Sequence, residues 1–194
     1  MTRIWALVII KALRIICNID YKISGHHLPQ DSRFIVACKH QSAWETIFFL
    51  YYINNPTYIL KKELLYLPIY GWHLKTNEMI AIDRSAGAAA LLSAMRGVKR
   101  ALAHGRSVVI FPEGTRVKPG ELRECTSGIA AIYQMVAQDH PVIPVSLDSG
   151  KYWGKNAWVK YPGIIDVYIG EPLLLGMNKG EILQKVKDGI NVII

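Results

Sequence analysis

Residues 107–116 read SVVIFPEGTR and join a short apolar run to a tight turn. Ser107–Phe111 is predicted to be a strand, because a short apolar run bounded by turn residues is typical of a buried strand. Pro112 and Gly114 predict the turn after it, and Gly114 lets a backbone N–H approach a ligand closely. Arg116 presents a planar fork suited to a phosphate. The alternative is a surface turn with a solvated Glu-Arg pair, since turns of this composition are common.

The rest of the chain continues the alternation of strand and helix patterns. Strands are predicted at Arg33–Cys38, Thr57–Leu60, Met79–Ile82, Ser107–Phe111, Val142–Leu147 and Ile164–Ile169. Helices are predicted at Ser42–Ile53, Ala86–His104, Thr126–Gln138 and Lys179–Val192, and a long surface loop at Ser149–Tyr161. Such alternation predicts a single α/β domain, residues 25–194, with a mixed, largely parallel sheet flanked by helices.

Residues 1–22 read MTRIWALVIIKALRIICNIDYK and combine a broad apolar content with a few cations. On a helix with about 100° per residue, four polar side chains lie within an arc of about 80°. These four are Arg3, Lys11, Arg14 and Asn18, and Leu7 lies in the same arc. A narrow basic stripe on a broad apolar helix is typical of a membrane interface. Segment 1–24 is therefore predicted to be an amphipathic, membrane-associating helix, the alternative being an ordinary helix packed on the core.

The composition restricts the possible partners. The chain has 194 residues, 51% of them hydrophobic, and a net charge of +8, which suits one domain that binds something anionic. No segment approaches the roughly 20 uninterrupted apolar residues of a spanning helix. The apolar content favours a lipid surface over nucleic acid, for which no binding module is recognisable.

Cys17, Cys38 and Cys125 lack metal-ligand spacing, so free thiols and no metal site are expected.

A second polar motif, KHQSAWE at residues 39–45, follows the apolar run Phe34–Cys38. In an α/β fold, ligands bind where a strand ends and a helix begins. His40 and Glu45 would point about 140° apart on a regular helix, so they can meet only if His40 precedes the helix, with Ser42 as its N-cap. His40 would then be a general base held by the carboxylate. The alternative is a capping box between Ser42 and Glu45, which this segment alone favours because capping boxes are common.

Basic residues also follow two of the predicted strands. Lys61 and Lys62 come after Thr57–Leu60, and Arg84 comes after Met79–Asp83. A phosphate-bearing substrate needs two or three such cations close together. Most of the 23 basic residues decorate loops for solubility, however, so position alone assigns no function to these.

Together these motifs resemble the bacterial 1-acyl-sn-glycerol-3-phosphate acyltransferases, which belong to the glycerolipid acyltransferases. Four blocks occur in the family's order between about residues 34 and 146. They are HQSAWE at 40–45, KKEL at 61–64 leading to IAIDR at 80–84, FPEGTR at 111–116 and VIPV at 142–145. The third block matches letter for letter, and the ordered set favours the catalytic interpretation of His40 and Glu45. The family's usual aspartate is Glu45 here, with a stem one methylene longer.

The resemblance implies a mechanism and a set of site residues. His40 is expected to take the proton from the sn-2 hydroxyl of the acceptor, and Glu45 to hold His40 in place. The expected substrate-binding residues are Lys61, Arg84, Glu113, Gly114, Thr115 and Arg116. Among these, Arg116 is expected to bind the acceptor phosphate, and a backbone N–H near Gly114 to stabilise the oxyanion.

The same resemblance implies the substrates and the location. The acceptor is expected to be lysophosphatidic acid, the donor an acyl-carrier-protein or CoA thioester, and the product phosphatidic acid, with no metal or other cofactor. The protein is expected to be peripheral or monotopic on the cytoplasmic face of the inner membrane, bound to an anionic lipid surface and not to nucleic acid. An enzyme of the same family acting on a lyso-ornithine lipid or glycerol 3-phosphate is the alternative. A non-enzymatic membrane-binding protein is a less favoured one.

Overall fold

The computed structural model describes residues 2–30, 32–68 and 70–193. Its helices are α1 (Thr2–Cys17), α2 (Trp44–Tyr52), α3 (Tyr70–Thr76), α4 (Ala88–Ala103), α5 (Gly128–Val136) and α6 (Lys179–Ile190). Its strands are β1 (Ile19–Gly25), β2 (Ile35–Cys38), β3 (Pro56–Lys61), β4 (Ile80–Ile82), β5 (Ser107–Ile110), β6 (Val142–Leu147) and β7 (Gly163–Ile169). Short 3₁₀ turns occupy Lys62–Tyr66, Arg84–Ala86 and Ser149–Lys151.

The strands form one sheet in the order β1-β7-β6-β2-β5-β3-β4. Strands β2 to β6 all run parallel to one another, whereas β7 is antiparallel to β6 and β1 is parallel to β7. The predicted α/β fold with a mixed, largely parallel sheet is therefore confirmed. Every predicted strand and helix after residue 24 is present, with ends displaced by at most two residues.

One strand was not predicted. The N-terminal helix ends at Cys17, short of the predicted residue 24, because Asn18 takes a positive φ of 51° that a helix does not accommodate. The residues that follow form β1, which pairs with β7 at the edge of the sheet. Charged Asp20 and Lys22 suit an edge strand but hide its strand pattern in the sequence.

Helices cover both faces of the sheet. On one face α1 and α2 enclose an aromatic-rich core that includes Trp44 and Phe48. On the other face α4, α5 and α6 pack over a core of mainly aliphatic side chains such as Val98, Ile129 and Ile182. Both faces of the central strands are consequently buried, which explains their uninterrupted apolar sequences.

Helix α1 is apolar on two opposite sides. Its inner side buries Ala6, Ile10 and Leu13 against the core. Its outer side exposes large apolar side chains: Ile4, Trp5, Val8, Ile15 and Ile16. None of the described helices is both long and apolar enough to cross a bilayer.

Strand direction brings many loops to one edge of the sheet, which we call the carboxyl edge. Strands β6, β2 and β5 are neighbours at the middle of the sheet and all end there. Because β7 and β1 run the opposite way, they begin at the same edge. The N–H of Gly163 donates to the carbonyl of Asn18 there (2.9 Å), so the end of α1 also lies at the carboxyl edge.

Candidate active site

His40 and Glu45 are in direct contact at the carboxyl edge. Nδ1 of His40 lies 2.8 Å from Oε1 of Glu45. The Glu45 side chain is fully buried, whereas the imidazole is 19% exposed. A buried carboxylate that accepts the Nδ1–H bond leaves Nε2 with its lone pair, which is the form a general base requires.

The Glu45 carboxylate is held from several directions. Its Oε1 accepts the backbone N–H groups of Gln41 (2.8 Å) and Ser42 (2.7 Å), and its Oε2 accepts the hydroxyl of Ser149 (2.7 Å). Charge-assisted hydrogen bonds of this kind are the stronger class. The carboxylate is therefore fixed in position before any substrate arrives.

The two interpretations of the 39–45 motif prove compatible. Helix α2 begins at Trp44, with Ala43 and not Ser42 at its N-cap position. The Ser42 hydroxyl accepts the N–H of Trp44 (3.1 Å), and Glu45 accepts the N–H of Ser42 as a capping carboxylate would. One carboxylate thus closes the helix start and contacts His40 at the same time.

Glu113 connects the turn after β5 to the segment after β2. Its Oε2 accepts the backbone N–H of His40 (2.9 Å), and its Oε1 lies 2.9 Å from Nζ of Lys39. The Lys39 and Glu113 side chains are only 3% and 0% exposed. Lys39 also donates to the Glu121 carbonyl (3.1 Å) and to the Asn191 side chain (2.5 Å). This buried pair fixes the backbone that carries His40.

Gly114 makes the tight turn that the sequence predicted. Its φ is 71°, and its N–H donates to the carbonyl of Phe111 (3.0 Å). The N–H of Gly114 itself is therefore used by the turn and does not face a substrate. Thr115, next along the chain, is half-buried, and the expected oxyanion donor near Gly114 stays a prediction.

The three expected phosphate-binding cations are distributed around this turn. The Arg84 guanidinium donates to the carbonyl of Gly114, and burial lowers the pKa of Arg84 from its usual value. Arg116 extends to the other side, where it donates to the Asn156 side chain (3.2 Å). Lys61 is exposed at the end of β3 on the same edge.

Phe111 connects the histidine to an apolar cavity. Its ring stacks on the imidazole of His40, with the centroids 3.9 Å apart. It also lines a cavity of about 530 Å³ between the sheet and helices α4 and α5. The other lining residues are mostly small or aliphatic: Ile59, Ile82, Arg84, Gly87, Ala88, Ala90, Leu91, Ala94, Ile110, Gly114, Thr126, Ser127, Gly128, Ile129 and Ile132. An extended apolar chain fits such a lining.

Ser149 and Gln41 are site residues that the sequence analysis missed. Ser149 contacts Glu45, and the Gln41 side chain accepts the N–H of Gly150 (3.0 Å). Both contacts join the segment after β2 to the segment after β6. A signal existed, because Ser149 follows a strand that ends beside β2, where ligand-binding groups collect.

Cys38 and Cys125 are poorly suited to covalent catalysis. Burial raises the pKa of Cys125 to about 12, with Glu113 and Glu124 adding to the shift. Burial also raises the pKa of Cys38 well above its usual value. Since the thiolate is the nucleophile, both thiols remain protonated and unreactive near neutral pH.

The chain is similar in sequence to known proteins. The chain is 37% identical over 166 residues to a 1-acyl-sn-glycerol-3-phosphate acyltransferase of Pseudomonas aeruginosa, which covers 86% of this chain and 64% of that protein. It is 35% identical over 111 residues to the protein of the same name from Helicobacter pylori, covering 54% and 46% of the two chains. This chain thus spans less than two thirds of the length of these relatives.

A solved structure shows the same fold. The crystal structure of the 1-acyl-sn-glycerophosphate (LPA) acyltransferase PlsC from Thermotoga maritima superposes with a TM-score of 0.70. The match covers 98% of this chain and 77% of that one at 23% identity. The acyltransferase family also matches residues 20–148, which include His40, Glu45 and the whole FPEGTR turn. Since that match extends over more than half of the sequence, the chain belongs to the acyltransferase family.

Proposed function

We propose that this protein transfers a fatty acyl group from acyl-carrier protein or CoA to the sn-2 hydroxyl of lysophosphatidic acid, giving phosphatidic acid. The contact between His40 and the buried Glu45 carboxylate carries this proposal. The names of the relatives support the acceptor, since the Pseudomonas and Helicobacter proteins are both 1-acyl-sn-glycerol-3-phosphate acyltransferases.

The reaction is a direct transfer with a general base. Nε2 of His40 takes the proton of the acceptor hydroxyl as its oxygen attacks the thioester carbonyl. The C–S bond then breaks, and the departing thiolate recovers the proton from the imidazolium. Glu45 stabilises that imidazolium through Nδ1. This reaction path uses protein side chains alone and needs no metal or other cofactor.

Arg116 is the best-placed cation for the acceptor phosphate. In the described part of the chain its contact is with a neutral amide, Asn156, so a carboxylate does not neutralise its charge. Lys61 and Arg84 add positive charge on the other side of the turn. Glu113, Gly114 and Thr115 shape the turn between these cations.

The cavity beside Phe111 is proposed to hold the acyl chain. Its lining is largely aliphatic, and glycine and alanine on α4 and α5 keep it open. Because Phe111 also contacts His40, a chain in this cavity would present its carbonyl carbon next to the base.

The outer side of α1 is proposed to rest in the lipid headgroup region. Its exposed apolar residues lie beside the cations Arg3, Lys11 and Arg14, a combination suited to an anionic interface. We propose a peripheral or monotopic location on the cytoplasmic face of the inner membrane, where a bilayer acceptor and a soluble donor meet.

An acceptor competition tests the function. Purified protein is offered lysophosphatidic acid, a lyso-ornithine lipid and glycerol 3-phosphate together, with either acyl-carrier protein or CoA as donor. Mass spectrometry is expected to find phosphatidic acid as the main product. Acylation of either other acceptor in preference would reassign the substrate, and no acylation at all would support a non-enzymatic role.

A substitution at Ser149 tests whether the Glu45 carboxylate supports His40 as the general base. Removing the hydroxyl in Ser149→Ala takes one hydrogen bond from the Glu45 carboxylate, so kcat is expected to fall roughly 10-fold while KM changes little. Ser146→Ala is the matched control, because that buried hydroxyl accepts the Ile193 N–H instead (2.9 Å). Equal turnover in the two variants would remove Ser149 from the mechanism.

A further inference from the structure

The loop between β6 and β7 exposes large aromatic and aliphatic side chains to solvent. Trp158 is 96% exposed, and Val159 and Tyr161 are 61% exposed. We call residues 151–161 the tryptophan loop. Exposed apolar residues that cluster in this way mark an interaction site.

The tryptophan loop is held in a defined shape. Asn156 receives a hydrogen bond from Arg116, and the N–H of Tyr161 donates to the carbonyl of Tyr152 (2.9 Å). Lys160 lies over the Trp153 ring, 4.6 Å from its centroid. The exposed tip is therefore presented by a folded loop that is fastened to the active-site turn.

The charge of the loop defines the chemistry of its partner. Lys151, Lys155 and Lys160 lie in the loop, and no acidic residue occurs between Asp148 and Asp166. Lys151 pairs with Asp148 (3.2 Å), so Lys155 and Lys160 contribute the net positive charge. A tryptophan and a tyrosine among lysines suit an anionic bilayer, where aromatic rings lie at headgroup level and cations meet lipid phosphates.

Strand order places this loop beside the end of α1. The loop leads into β7, which begins at the carboxyl edge next to Asn18. Exposed Ile164 lies just after the loop, and exposed Ile15 and Ile16 lie just before Asn18. The apolar surface thus continues from the outer side of α1 onto the edge that carries His40.

We infer that the tryptophan loop is a second membrane contact, which inserts Trp158 and Val159 into an anionic lipid surface and orients the carboxyl edge towards it. The inference rests on the proposed function only in that the acceptor is a bilayer lipid. Together with α1, the loop gives two points of attachment, which define how the active site faces the membrane.

Vesicle sedimentation with the full chain tests the inference. The vesicles contain phosphatidylcholine with or without phosphatidylglycerol. Lys155→Gln with Lys160→Gln is expected to weaken binding to the anionic vesicles roughly 30-fold, from about 1 kcal/mol for each cation. Trp158→Ser with Val159→Ser is expected to weaken it at least about 10-fold.

Matched controls lie outside the tryptophan loop. Leu174 and Leu175 are similarly exposed after the end of β7, and Lys179 and Lys185 are exposed on α6. Leu174→Ser with Leu175→Ser, and Lys179→Gln with Lys185→Gln, are expected to bind vesicles like the unmodified protein. Brominated lipids are expected to quench tryptophan fluorescence less in Trp158→Phe than in the unmodified protein.

A soluble assay separates this inference from the proposed function. With a short-chain lysophosphatidic acid below its micelle concentration, the loop variants are expected to keep full turnover. Unchanged vesicle binding in the loop variants would overturn the inference while leaving the enzyme activity intact. Normal vesicle binding with a raised KM for the acyl-carrier-protein donor would assign the loop to that protein instead, and would equally overturn it.

Discussion

Replacing His40 with alanine is expected to lower kcat for acyl transfer by about 10²–10⁴-fold, the usual contribution of a general base. The variant should still fold, because the imidazole is partly exposed and the backbone N–H of His40 keeps its bond to Glu113. Turnover is measured from the release of free CoA, and folding from the thermal unfolding temperature. Near-normal turnover would exclude the proposed base.

Two companion variants sharpen this test. His104→Ala removes an exposed histidine that faces Glu78, and it should leave kcat unchanged. Glu45→Gln keeps the shape of the side chain but removes the charge that stabilises the imidazolium. Because groups that act as one unit are strongly non-additive, the His40→Ala/Glu45→Gln double variant should be no slower than His40→Ala alone. A further large drop in the double variant would mean that Glu45 acts independently of His40.

Replacing Lys39 with methionine is expected to lower the free energy of unfolding by about 3–5 kcal/mol, because it leaves the buried Glu113 carboxylate without its cation. In a chain of this length that corresponds to a fall of roughly 6–20 °C in unfolding temperature. Calorimetry measures the change directly. A fall of less than about 2 °C would show that Glu113 does not depend on Lys39.

The structure supplies two controls for the Lys39 prediction. Lys62 pairs with Asp83 at a partly exposed site, so Lys62→Met should leave the unfolding temperature nearly unchanged. Adding Glu113→Gln to Lys39→Met removes the uncompensated charge and keeps an acceptor for the His40 N–H. This double variant should recover part of the lost stability, and no recovery would point to a packing defect.

Most of the fold could be predicted because its central strands are buried on both faces. Uninterrupted apolar runs such as Val142–Leu147 mark these strands, and turn residues mark their ends. Strand β1 escaped prediction because it is an edge strand with charged residues and follows α1 after a single residue. Helix α3 was also missed, since seven residues that include Gly71 give too little helical periodicity.

The site was predictable only where its members are close in sequence or belong to a specific motif. His40 and Glu45 lie within one short motif, and a carboxylate five residues after a histidine suggested the pair. Ser149 and Asn191 reach the same place from distant parts of the chain. The position of Ser149 after a strand end places it near the site, but which side chain completes a buried network at such separations depends on tertiary packing, for which a single sequence carries no pattern.

The bond between Lys39 and Asn191 joins residues 152 positions apart, and this has a consequence for biosynthesis. Asn191 is synthesised long after Lys39, so the cation beneath His40 acquires this ligand only late in translation. Strand β1 likewise has no partner until β7 is synthesised, and its edge stays open in the meantime. Contacts so distant in sequence also slow folding, so the nascent polypeptide passes through a catalytically incomplete stage before these contacts form.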